Sequence, residues 1–171
     1  MDEKGILRHH VGNVITLLHH IHRSLETQAN NNQVRSFPDA LDSIIQAQVI
    51  VHSHLKGLEA FLFSRKISIR SHLRETEDCF LNSVSGFFGD NRKEDLISMY
   101  LREDYMALSL VCATYTMLVA MAKALRAAEL SDHLLDYLQE IESLLSQKKQ
   151  LLPVVAVNEM SRDGKWIELP S

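Results

Sequence analysis

The sequence predicts an all-α protein, an up-and-down four-helix bundle with an additional short helix and a C-terminal extension. Three observations predict it. Apolar residues recur at alternating spacings of four and three along most of the chain, the period of a helix face. Six glycines and three prolines in 171 residues are too few to punctuate a sandwich or barrel of many short strands. The punctuation that is present sits where helices begin and end. The length suits one domain, and 46% hydrophobic residues suffice to bury a core and exclude wholesale disorder.

In the first segment Leu7, Val11, Val14, Leu18, Ile21 and Leu25 form one apolar stripe. It ends at Asn30, Asn31 and Asn32, whose side chains compete with the helix for backbone hydrogen bonds. Ser36, Phe37, Pro38 and Asp39 read as a helix start: a serine cap, a proline in the first turn and an acid beside exposed N–H groups. The second helix runs to Ser64 and turns Leu41, Ile44, Ala47, Val51, Leu55, Leu58 and Leu62 inward. Residues 65–70 read as a connector. A short helix over residues 71–88 stops at Gly89. Helix resumes to about Ala128, with a break expected at residues 102–104. Ser131 is expected to cap a last helix carrying Leu134, Leu138, Ile141, Leu145 and Leu152, which Pro153 stops. The bundle domain is therefore placed at residues 1–153. Residues 154–171 are a tail, with a β-like run at 154–157, a turn at Asp163 and Gly164, and Trp166 anchored in a groove.

The net charge of −4, with no basic stripe, argues against a nucleic-acid partner. Cys79 and Cys112 make neither a CxxC motif nor a disulfide framework, which suits a reducing compartment. The chain opens on Asp2 and Glu3 and lacks the basic-then-apolar layout of a signal peptide, so a cytoplasmic location is expected. Residues 105–122 contain no Asp, Glu, Lys, Arg or His. About 20 apolar residues are needed to span a bilayer. Ser109, Thr114, Thr116 and two tyrosines favour a central buried helix, with a face at a dimer interface, over a membrane span.

No nucleophile elbow, phosphate loop, HExxH or GxGxxG occurs, so no catalytic or cofactor-binding residue is assigned. Five of nine histidines fall in the first helix. His9, His19 and His20 point away from its stripe, while His10 and His22 lie at its edges, about 18 Å apart along the axis. His19 and His22, at i and i+3, make half of a surface metal site. On the second helix Gln48, His52 and Glu59 line one edge of the core, and His52 and Glu59 are of metal-ligand type. The plainer reading of all of these is hydrogen bonding to one another or to water. His72 and Glu75 pair at i and i+3 on the short helix, and Cys112 reads as a packing residue.

The run Tyr115-Thr116-Met117-Leu118-Val119-Ala120-Met121-Ala122-Lys123-Ala124-Leu125 resembles the Tyr-x-x-Leu-x-x-x-Ala-x-x-Leu pattern of the YciE/YciF-type ferritin-like proteins. The later Leu134, Leu135 and Leu145 segment resembles that family's last bundle helix. The resemblance implies a ferritin-like bundle, but one without its di-iron carboxylates. Where the family carries Glu-His-x-Glu before the tyrosine, this chain has Leu108-Ser109-Leu110-Val111. The inward glutamate of the last helix falls on Ile141, with Glu140 beside it facing outward, and the counterparts in the first two helices are Leu18 and Ile50. A bundle relieved of its metal loses such buried carboxylates, whose desolvation is costly.

The function expected from these residues is that of a binding or assembly module, homodimeric, without cofactor and not an enzyme. The alternative is a metal-binding oxidoreductase or metal store, using iron or zinc, that employs His52, Glu59, His19 and His22 at the bundle edge.

Overall fold

Five helices account for residues 3–64 and 96–162, the part of the chain that the computed structural model describes, and no strand occurs among them. They are α1 (Glu3–Ala29), α2 (Asn32–Arg35), α3 (Pro38–Ser64), α4 (Ile97–Ala124) and α5 (Ala128–Arg162). The protein is all-α. The expected connector at 65–70, short helix at 71–88, Cys79, His72, Glu75, Gly89, the Asp163 and Gly164 turn and Trp166 lie outside the described residues.

The predicted stripes are the buried faces. Val11, Val14, Leu18, Ile21 and Leu25 of α1 are at most 1% exposed, and Ile44, Ala47, Val51, Leu55, Leu58 and Leu62 of α3 join them in one core. α1 stops at the asparagines as expected. Asn31 then accepts from the Gln33 N–H and caps the four-residue α2, an element with too few residues to leave a periodic signal. The Ser36 hydroxyl donates back to the Gln33 carbonyl, closing α2, and the first α3 N–H groups, of Ala40 and Leu41, bond to the Phe37 carbonyl.

Pairwise contacts set the helix directions. His19 meets Glu59, so α1 and α3 are antiparallel neighbours, and Gln28 with Asn31 meets Asp104 with Tyr100, so α1 and α4 are antiparallel too. α5 runs back against both α3 and α4, with His54 at Glu140 and Asp104 at Lys148. The order is not up-and-down throughout: α3 and α4 run parallel, since Ser43 and His54 lie level with Asp104 and Tyr115.

Several expected boundaries differ in the structure. No break falls at residues 102–104, because Asp104 is buried and paired inside a continuous α4. α4 ends instead at Ala124, with Leu125 as its C-cap, and α5 begins at Ala128, so Ser131 sits inside that helix. The turn between them contains no glycine. Arg126 adopts φ 55°, while the Ala127 N–H reaches the Ala122 carbonyl at 2.9 Å and the Arg126 N–H the Lys123 carbonyl at 3.1 Å. That is a Schellman closure with arginine in the usual glycine position.

Pro153 does not end the last helix, and residues 154–157 are helical rather than β-like. A proline inside a helix costs about 3 kcal/mol through its missing N–H and its clash with the preceding turn. Pro153 faces solvent, and the helix beyond it gains two contacts. Val155 is wholly buried in the core. The Glu159 carboxylate accepts from the Ile97 and Ser98 N–H groups at the start of α4, where Leu96 offers no side-chain cap. The acid also complements the helix dipole there. The tail as far as residue 162 thus belongs to the packing of the helices.

Candidate functional site

The two histidine-bearing edges singled out in the sequence meet along the seam between α1 and α3. The His19 Nε2 lies 3.1 Å from Glu59 Oε1, and the other Glu59 oxygen accepts from Lys56 Nζ at 3.2 Å. One turn away the rings of His22 and His52 stand with centroids 5.0 Å apart, tilted by 40°. His9, His19 and His20, which the helical wheel turns away from the stripe, are half-buried, as are His10 and His22 at its edges. Burial, with His52 beside it, lowers the pKa of His22 from its ordinary value. Among the described residues, no three His, Cys, Asp or Glu side chains already converge as a ready-made metal cage.

The interior is not uniformly apolar, as the sequence had suggested. Midway along the bundle, His54 is wholly buried and bonds in two directions. Its Nε2 is 2.7 Å from Glu140 Oε2, and its Nδ1 is 3.2 Å from the Tyr115 hydroxyl. The Glu140 carboxylate can only accept, so the Nε2 carries the proton and Nδ1 accepts from Tyr115. Tyr137 stacks on the imidazole, with ring centroids 4.1 Å apart. Its hydroxyl reaches so far over Gly57 that a β-carbon there would collide with it, which is the reason for glycine inside α3. The outer edge of Tyr137 borders a 250 Å³ hollow with Gly57, Phe61, Glu129 and His133.

This Glu–His–Tyr chain has the connectivity of a proton relay, but its end is sealed. Tyr115 is 0% exposed, and burial, with Tyr137 and Glu140 nearby, holds its pKa well above the usual phenol value. Burial lowers the pKa of His54 and keeps the ring neutral. The hydroxyl is thus an internal donor, not a nucleophile offered to a substrate. The half-buried Cys112 thiol is also pushed up, chiefly by burial, away from reactive thiolate.

A second polar group joins all four long helices. Lys148 of α5, 0% exposed, places its Nζ 3.1 Å from Asp104 Oδ2 of α4 and 3.4 Å from Ser43 Oγ of α3. Gln28 of α1 donates to the other Asp104 oxygen at 2.9 Å. The ammonium supplies the positive charge that Asp104 needs, so this carboxylate is already neutralised.

None of His54, Tyr137, Asp104 or Lys148 was recognised as a functional candidate. A signal existed: Lys148 continues the spacing of Ile141 and Leu145 toward Leu152, and His54 stands beside Leu55 on the stripe of Val51 and Leu58. A polar group on an apolar stripe requires a buried partner.

The positions that the resemblance assigns to di-iron ligands do not fit such a centre. Leu18, Leu108 and Ile141 are wholly buried, Ile50 is half-buried, and none of these side chains carries a donor atom. Glu140 does not face away unused but holds His54. Compared with known proteins, the chain matches no family model, and no curated protein or solved structure is significantly similar to it.

Proposed function

We propose that this protein is a ferritin-like helical bundle without a di-iron centre, working in the cytoplasm as a non-catalytic assembly module that pairs with a second copy of itself. The outer face of α4 carries this reading. Residues 105–122 contain no charged side chain, yet only 39% of the most apolar stretch of α4 is buried. Met106 and Met117 are 37% and 40% exposed, and Ala113, Thr116 and Ala120 beside them are exposed as well. Small residues flanked by methionines allow close approach of another helix, and an uncharged face can meet its own copy about a two-fold axis without repulsion. α4 is also long and apolar enough to cross a membrane, but its opposite face carries buried Glu103 and Asp104, the latter paired with Lys148 of α5. That favours protein over lipid as its cover.

The ferritin-like part of the reading is supported by the helix directions. Two antiparallel pairs, α1 with α3 and α4 with α5, are set so that α3 and α4 run parallel, the helix directions of a bundle that has one crossover connection. Sedimentation equilibrium tests the assembly. The wild type should sediment as a dimer at micromolar concentration, and Ala113→Glu with Met117→Lys should give a folded monomer. A monomeric wild type, or a dimer indifferent to both substitutions, would refute it.

A further inference from the structure

We propose that His22 and His52 form a binding site for a divalent transition-metal ion, Zn²⁺ in the first instance, across the seam of α1 and α3. The inference is independent of the assembly reading, because the site lies on the seam and not on the outer face of α4.

The separation of the two rings is the first ground. With Zn–N bonds of about 2.0–2.1 Å at a tetrahedral angle, and about 1.1 Å from each nitrogen to its ring centre, the centroids of two imidazoles on one ion lie about 5 Å apart. The observed separation is 5.0 Å. The two ligands come from different helices whose inward faces are locked in one core, and one helix alone could not provide the pair. His22 is half-buried and His52 exposed, which leaves an open side for water to complete the coordination.

The surroundings agree. Glu26 contributes negative charge to His22, while His19 and Lys56 oppose it. Lys56 is drawn to Glu59, which also holds His19 at 3.1 Å. His19 stands one turn from His22, at i−3, on the same side of α1. A rotation that released it from Glu59 would add a third imidazole and leave Glu59 to Lys56. The pair is a two-imidazole site with an accessible third ligand, an arrangement that takes Zn²⁺, Cu²⁺ or Ni²⁺ in preference to Mg²⁺ or Ca²⁺.

The experiment is calorimetric titration of ZnCl₂ into full-length protein carrying no histidine tag, at pH 7.5, with MgCl₂ as control. Saturable one-to-one binding is expected with zinc and none with magnesium. His22→Ala and His52→Ala should each weaken it at least tenfold, whereas His9→Ala and His133→Ala should not change it. Lowering the pH to 5.5 should weaken it at least tenfold, as protons displace the metal. Ni²⁺ added to wild-type protein should broaden backbone NMR resonances near His22 and His52 first, a readout that needs no variant to fold. Unchanged affinity in either alanine variant, absence of saturation below millimolar zinc, or broadening centred elsewhere would overturn the proposal.

Discussion

Replacing Lys148 by methionine isolates what the interior charge pair contributes. Methionine retains most of the aliphatic stem and removes the ammonium. Asp104, 2% exposed, would then keep one hydrogen bond, from Gln28 at 2.9 Å, where it now also has the lysine at 3.1 Å. An uncompensated buried charge costs about 3–5 kcal/mol when its partner is deleted. Lys148→Met should therefore lower the unfolding free energy by that amount at pH 7. Asp104→Leu should do the same in reverse, stranding the ammonium with Ser43 at 3.4 Å. The double variant should recover nearly all of the loss, because a pair of apolar residues of similar size is about neutral to a few kcal/mol stabilising. Urea unfolding followed by far-ultraviolet circular dichroism gives the cycle directly. If both single variants lay within about 1 kcal/mol of the wild type, the pair would not be desolvated and the argument would fail.

Leu108 is 0% exposed, so Leu108→Ala should cost about 2–5 kcal/mol through cavity formation, and Leu108→Glu several kcal/mol through an unpaired buried charge; chemical denaturation at the wild-type midpoint for Leu108→Glu would place the residue outside the core. Glu159→Gln should cost about 1 kcal/mol by weakening the cap on α4, and truncation after Leu152 should cost more because Val155 leaves with it; a truncated chain with unchanged thermal stability would contradict this. The depressed pKa of His54 means that unfolded chains take up protons first as the pH falls below the ordinary value of about 6.5, so stability should decline there by at most about 1.4 kcal/mol per pH unit for each proton. His20 and His22 are also depressed and act in the same direction. His54→Gln should therefore reduce the slope without abolishing it, as thermal melts between pH 5 and 7 would show.

The periodic faces of α1 and α3, the stop at the asparagines and the start at Pro38 were legible in the sequence, because each depends on residues within a few positions of one another. The 4-3 spacing settles which side of a helix is buried wherever the helix ends up. Pro153 shows the limit of such local rules. Its local cost is real, but burial of Val155 and the bond from Glu159 to the start of α4, 61 and 62 positions away, outweigh it. The same limit hid the Schellman turn at Arg126, where arginine accepts a conformation usually left to glycine because the packing of α4 on α5 demands the reversal. The sequence marked His19, His22, His52 and Glu59 as chemically capable residues, on two helices whose relative placement it did not give. Only the antiparallel packing of α1 on α3 pairs His19 with Glu59, 40 positions away, and His22 with His52. Asp104 likewise read as part of a helix break, and Lys148, 44 positions away, carried no reading at all, until one core buries both. Helical periodicity is a property of neighbours in the chain, whereas the partner of a charge or an imidazole is chosen by how whole helices pack.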